Sequence, residues 1–216
     1  MKRKFPYVCG IGGEAKSGKD TLCNLLIRSF ASDGIVAQRF ALADELKQSL
    51  QQKIKEELNI DIFNCTPEEK EIARPILVEY NGRQESKGTI WTSRLNTKLR
   101  EEKYAEIAII PDIRYYEYHN DEVPWVLNEL HGTLIHIAKY SIKEGRKTWR
   151  DYVNKDEELN DPKVKSASDF AFCWPSISQG DPFTEDILYK QYKGILGVIK
   201  NHIYADIERQ NRFGIN

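Results

Sequence analysis

Gly13-Glu14-Ala15-Lys16-Ser17-Gly18-Lys19-Asp20-Thr21 sets two glycines five positions apart, the second directly ahead of a lysine. Glycines at that spacing let the chain curl so that successive N–H groups point inward. A helix that starts at the end of the curl adds partial positive charge, and the two together suit a polyphosphate. The spacing is that of G-x-x-x-x-G-K-[ST], whose lysine reaches the β- and γ-phosphate oxygens. Gly13, Ala15, Lys16, Ser17, Gly18, Lys19, Asp20 and Thr21 are therefore the candidate phosphate-donor site. Asp20 stands where the motif carries the hydroxyl that holds Mg2+. A carboxylate can ligate a hard cation or its water shell, and Thr21 supplies a hydroxyl beside it.

A second cluster, Ile109-Ile110-Pro111-Asp112-Ile113-Arg114, puts a carboxylate and a guanidinium at the end of an apolar run, with Glu117 one turn on. Asp112 could hold a metal or its water, and Arg114 could clamp a phosphate bidentately; the same pair could instead close a loop. Arg74, Arg83, Arg94, Arg146 and Arg150 lie in segments suited to a mobile cover. Phosphoryl transfer asks mainly for positive charge and water exclusion, although any one of these arginines reads equally well as a solvated surface charge. Lys47 is either a phosphate ligand or the exposed face of a helix, and Trp91, Trp125, Trp149 and Trp174 either stack on bases or fill the core. The four histidines form no ligand spacing, and His136 reads as a packed strand residue. Neither a Gly-x-Ser-x-Gly elbow nor a Cys/His nucleophile pair occurs.

The elements that must position these groups follow from hydrophobic period. Tyr7 to Ile11 is a strand, and Lys19 to Ser32 a helix with Leu22, Leu25, Leu26 and Phe30 on one face. Ile35 to Phe40 is a strand, and Asp44 to Leu58 a helix. Thr66-Pro67-Glu68-Glu69 starts a helix that runs toward Tyr80 and stops at Gly82. Thr89 to Lys103 is helical, Glu106 to Ile110 a strand buried on both faces, and Asn120 to Leu130 a helix starting near Asp121. Thr133 to Ala138 and Asp169 to Trp174 are strands, separated by a charged interval from Ser141 to Ser168, and Thr184 to Gln210 is a long helix. Such alternation predicts a parallel sheet with helices on both faces, whose ligands sit beyond the carboxyl ends of the strands.

Composition bounds the rest. A chain of 216 residues with 40% hydrophobic positions buries its own core as one domain. Its 32 Lys and Arg against 33 Asp and Glu give a net charge of −1, unlike the basic footprint of a polynucleotide binder. No run reaches the 18 or so apolar residues of a membrane span. Cys9, Cys23, Cys65 and Cys173 are dispersed, which points to a reducing cytoplasm and to neither zinc nor disulfides. With charge so balanced, Lys19, Arg74, Arg83, Arg114, Arg146 and Arg150 are expected to converge on a few phosphates while acids occupy the outer helices.

With these residues in view, the chain resembles the bacteriophage-type deoxynucleoside monophosphate kinases, a branch of the P-loop nucleoside monophosphate kinase superfamily. The resemblance rests on Lys16-Ser17-Gly18-Lys19-Asp20-Thr21, whose Asp20 is the family's own residue, on Leu42-Ala43-Asp44-Glu45-Leu46-Lys47, on the Arg74 to Gly82 helix followed by Trp91, and on Pro111-Asp112-Ile113-Arg114. Arg83 stands where that family often has Thr. It implies a three-layer α/β/α P-loop kinase with a five-stranded parallel sheet. The core would span residues 5–42, 104–140 and 168–216, with a helical monophosphate-binding segment at about 43–103 and a lid at about 141–167. It implies transfer of the γ-phosphoryl of ATP to a (deoxy)nucleoside 5′-monophosphate with Mg2+. Lys19, Arg114, Arg146 and Arg150 would be catalytic. Lys47, Arg74, Gly82, Arg83, Trp91, Asp112, Arg114 and Glu117 would lie on the acceptor side, and Asp20 and Asp112 on the metal. The partners are then small nucleotides rather than a nucleic-acid polymer or a membrane; a homodimer is compatible, and the location is cytoplasmic, the host's if the protein is virus-encoded. Two rivals remain: a P-loop kinase for another phosphorylated metabolite, and a non-catalytic ATP-binding protein.

Overall fold

A computed structural model describes residues 5–83, 89–176 and 184–214. Its sheet runs β1 (Tyr7–Gly12), β2 (Ala37–Arg39), β3 (Ile107–Ile113), β4 (Thr133–Lys143), β5 (Arg146–Trp149) and β6 (Phe170–Pro175). Neighbouring strands pair in parallel in the order β2-β3-β1-β4-β6. Period-two alternation explains why both faces are dry. Tyr7, Cys9, Ile11, Ile107, Ile109, Ile135 and Ile137 pack with α1 (Lys19–Ala31) and α7 (Thr184–Phe213). Val8, Ala108, Ile110 and Leu134 pack on the opposite side, against Leu95 and Leu99 of α4 (Thr89–Glu101) and Val126. Helices α2 (Leu42–Leu58) and α3 (Pro67–Arg83) share a small core of Leu50, Ile54, Ile60, Ile62 and Ala73.

Three expectations are corrected. The sheet has six strands rather than five, and β5 is antiparallel, with Tyr140 opposite Trp149 and Lys143 opposite Arg146. The reversal is made by Glu144 and Gly145, both at positive φ (51° and 74°), the backbone of a tight two-residue hairpin. The helix expected from Asn120 to Leu130 is instead a short turn, α5 (Glu122–Pro124), opening into a π-helical turn (Trp125–Glu129) in which the Leu130 N–H reaches Trp125 O.

The third concerns the charged interval. Its second half is a helix, α6 (Lys155–Ala167), started by a reciprocal cap: Asn154 accepts from the Glu157 N–H (2.9 Å), and Glu157 accepts from the Val153 N–H (2.8 Å). This helix is anchored rather than free. Val164 is buried against Gly12, where a Cβ would fall 2.5 Å from Val164 Cγ1, and Asp161 pairs with the buried His136 of β4 at 2.9 Å. The expected packing of His136 is thus found. Residues 141–154, the hairpin end and the segment leading to Asn154, are exposed. Val164→Ala is expected to cost about 2 kcal/mol and Asn154→Ala about 1 kcal/mol, read from urea unfolding midpoints at constant slope.

Candidate active site

The glycine loop joins the end of β1 to the start of α1, the context a phosphate cradle requires. Gly13 has φ 139°, and a Cβ there would stand 2.1 Å from Ile137 O of β4. Gly18 has φ 96°, and a Cβ there would stand 2.6 Å from the Trp174 ring of β6. Both positions are closed to any side chain on steric and conformational grounds. Trp174 also donates its indole N–H to Ser17 O at 2.7 Å, so the loop is held from the adjoining strands. Inside the loop, the Ser17 hydroxyl is buried and makes no hydrogen bond among the described residues. An orphaned hydroxyl in a glycine loop at a helix start fits a phosphate site, and in this structure the loop's Ala15 and Ser17 N–H groups are taken by Glu157 and by Glu14 O.

Lys19 Nζ donates to Gly13 O and Glu14 O, both at 2.7 Å. Burial, and then the nearby positive charge of Arg114, lower its pKa to about 8. A polyanion between Lys19 and Arg114 would reverse the second effect. Arg150 reaches the same loop, donating to Ala15 O at 2.6 Å, while Glu157 accepts the Ala15 N–H. The expected convergence of six cations is therefore corrected. Lys19, Arg114 and Arg150 meet at the loop, but Arg146 sits exposed at the hairpin and Arg74 is an exposed partner of Glu71 at 2.7 Å. The mouth carries acids as well: Glu14 has its pKa raised by burial and by the charges of Asp161 and Glu157.

The two expected metal residues differ in environment. Asp20 is exposed and accepts from Arg39 at 3.2 Å, and Arg39 continues to Asp44 (2.8 Å), which holds Lys47 (3.1 Å). Asp112 is instead a helix cap: its two oxygens accept the N–H groups of Leu42 (3.1 Å) and Ala43 (2.7 Å) at the start of α2. Among the described residues no three His, Cys, Asp or Glu side chains cluster as a metal cage. The chain offers Mg2+ the exposed Asp20 carboxylate, with Thr21 next to it in sequence, which suits a cation that takes its remaining ligands from phosphates and water.

Between the carboxyl ends of β1 and β3, where the strand order reverses direction, lies the crevice in which open α/β sheets bind ligands. Beside it opens a small cleft of about 100 Å3. Leu42, Ala43, Leu46 and Trp91 line it with apolar surface, and Asp112, Arg114, Tyr115 and Glu122 with polar surface. Of the expected acceptor residues, Trp91, Asp112 and Arg114 meet here. Lys47, Arg74 and Glu117 lie off its walls; Gly82 and Arg83 continue helix α3 past the expected stop, and their side chains lie outside the described residues. Arg94 stacks over Trp91 at 5.3 Å. Sequence reasoning missed Arg39, Tyr115, Glu122 and Glu157 and left Trp174 between stacking and core. Only Glu157 carried a local signal, the capping spacing from Asn154.

Strand order and loop placement fit a P-loop kinase-like fold. No protein-family model and no curated protein matches the chain. Among solved structures, a mutant of the APS kinase CysC of Mycobacterium tuberculosis is similar at 12% identity, covering 89% of this chain and 98% of that one with a TM-score of 0.36. The crystal structure of APE1195 is similar at 10% identity over 91% and 99%, with a TM-score of 0.32. No helix among the described residues is long and apolar enough to cross a membrane.

Two outcomes follow from the site. Glu122 is buried, and burial raises its pKa from 4.5 to about 8. Folding therefore takes up a proton between those values, so its contribution to stability is complete below 4.5 and is lost as pH rises to about 8. Melts from pH 5 to 8 are expected to show stability falling by up to about 1.4 kcal/mol per pH unit, and Glu122→Gln to flatten that slope. Trp174→Phe keeps a ring but removes the donor to Ser17 O. Calorimetric titration is expected to show ATP affinity reduced about fivefold while the fold persists.

Proposed function

We propose that the protein is a P-loop phosphotransferase that moves the γ-phosphoryl of ATP onto a (deoxy)nucleoside 5′-monophosphate. The observation that carries this reading is the glycine loop with its buried Ser17 hydroxyl, unpartnered among the described residues, and with Lys19 close enough to Arg114 to feel its charge, while Arg114 also lines an aromatic-walled cleft. The loop amides, Ser17 and Lys19 would bind the donor phosphates. Apolar walls with Trp91 suit a planar base, and the exposed Arg114 guanidinium at the rim suits a phosphate dianion.

The chemistry asks little of the protein beyond placement and charge. A monophosphate oxygen is already ionised at neutral pH, so no strong general base is required. Arg114 and Lys19 would hold the two phosphate chains in line and favour the charge that spreads over the transferring group. Arg150, beside the loop at Ala15, would add a third cation from the hairpin side, and closure of that segment would exclude water. Mg2+, when bound, supplies charge neutralisation on the phosphate oxygens, with Asp20 and Thr21 as its protein-side oxygens. Arg74 and Arg83 keep the acceptor-side roles, and Arg146 the lid role, implied by the resemblance only if α3 and the hairpin move toward the crevice; Lys47 on α2 and Glu117 after β3 lie off the cleft and are not brought to it by that motion.

A coupled ADP-release assay against nucleoside and deoxynucleoside monophosphates tests the reading. At least one is expected to stimulate turnover well above the ATPase background; no stimulation by any of them rejects it. Lys19→Ala is expected to lower that turnover about a hundredfold or more while thermal melting persists.

A further inference from the structure

The segment that leaves β3 has an unusual hydrogen-bond economy. From Arg114 to Tyr118, five consecutive backbone N–H groups are each taken by a side-chain oxygen from elsewhere in the chain. Glu122 accepts from Arg114 and from Tyr115 (3.2 Å), Asn160 accepts from Tyr116 (3.2 Å), and Asp121 accepts from Glu117 (2.6 Å) and Tyr118 (2.7 Å). All three acceptors are buried, whereas Arg114, Tyr116, Glu117 and Tyr118 expose their side chains. Asn160 is itself held, donating to Asp156 O at 3.0 Å. The Arg114 guanidinium has no hydrogen-bond or ion-pair partner among the described residues. The loop is thus fixed at its backbone while the tip of Arg114 stays available.

A loop needs no such arrangement to stay soluble, because water would satisfy its amides. Three buried polar side chains, each costly to desolvate, serve instead to remove conformational freedom from the point where Arg114 leaves the strand. We propose that Glu122, Asp121 and Asn160 are positioning residues of the acceptor site, which lock the backbone from Arg114 to Tyr118 and so set the direction of the Arg114 guanidinium. This rests on the reading of Arg114 as the acceptor-phosphate ligand. Asn160 gives the lock a second consequence: it lies on α6, whose first turn carries Glu157 at the glycine loop, so one helix sets the spacing between the donor and acceptor sides.

The role asked of Glu122 is that of an acceptor and not of a charge. Burial holds its pKa near 8, so at neutral pH the carboxyl is mostly protonated and a glutamine is its close isostere. Glu122→Met keeps the length and removes both acceptors; Glu122→Gln keeps one. Both are to be made alone and on an Arg114→Ala background. Hydrogen exchange of the amides from 114 to 118 reads the lock without turnover. Glu122→Met is expected to speed exchange there about tenfold or more and Glu122→Gln to restore protection. In steady-state assays Glu122→Met is expected to raise the KM for the monophosphate about tenfold with the KM for ATP little changed, and to add almost nothing once Arg114 is alanine. Full additivity with Arg114→Ala, failure of the glutamine to rescue, or unchanged exchange in Glu122→Met would each overturn the proposal. If wild-type protein phosphorylates no monophosphate, the functional reading fails, and exchange alone still decides whether the loop is locked. Should Glu122→Met not fold, Asn160→Ala removes the Tyr116 acceptor from a different element and is expected to loosen the same amides; no change in their exchange counts equally against the lock.

Discussion

The constraint on which the site depends is the closeness of β4 and β6 to the loop between β1 and α1. Ile137 O and the Trp174 ring leave no room for a Cβ at Gly13 or Gly18, so the chain there passes through backbone conformations open to glycine and little else. That geometry turns the Ser17 hydroxyl inward and starts α1 at Lys19, next to the partial positive charge of the helix terminus. The parallel pairing of β1 with β3 and β4 is thus part of the site's chemistry, because it fixes the walls against which the loop is folded.

Helix α6 extends this logic across the crevice. A helix on the surface of a sheet is commonly held by an apolar stripe, yet the fully buried residues of α6 are one valine and two polar residues, with Ala167 adding a partly buried contact. Val164 fills the space left by Gly12, Asp161 pairs with His136, Asn160 holds the loop after β3, and Glu157 meets the loop after β1. Directional contacts of this kind specify position and orientation more sharply than apolar packing does, since each weakens steeply once its angle is lost. The helix is therefore suited to set a distance between two loops.

The same fact explains what the sequence disclosed and what it withheld. The core strands, the glycine loop and helices α1, α2, α4 and α7 follow apolar period and local turn chemistry, and these were legible. Helix α6 was not, although Asn154 and Glu157 spell a capping pair, because Pro162 interrupts it and its buried face is polar. Hydrophobic periodicity cannot report a helix that buries Asn160 and Asp161. Glu122 was equally silent: an acid at a helix start reads as a solvated charge, and only the fold shows it buried beneath Arg114. Trp174 lies 157 residues from its partner Ser17, a contact that no local pattern encodes. On the proposed acceptor side, Trp91, Asp112 and Arg114 were legible as a group, but Asp112 proved to cap α2.

Charge behaves in the same manner. A net charge of −1 is compatible with a polyphosphate site because attraction here does not need an excess of cations. In the proposed reading, the helix terminus, one half-buried lysine and one guanidinium unpaired among the described residues would act at short range, where a partly desolvated site screens them least. Glu14, Glu157 and Asp161 oppose them nearby, which favours a ligand that can satisfy the amides and cations at once over any diffuse polyanion. On the proposed function, local preorganisation with opposing acids close by would confine the attraction to a few phosphates held in one place.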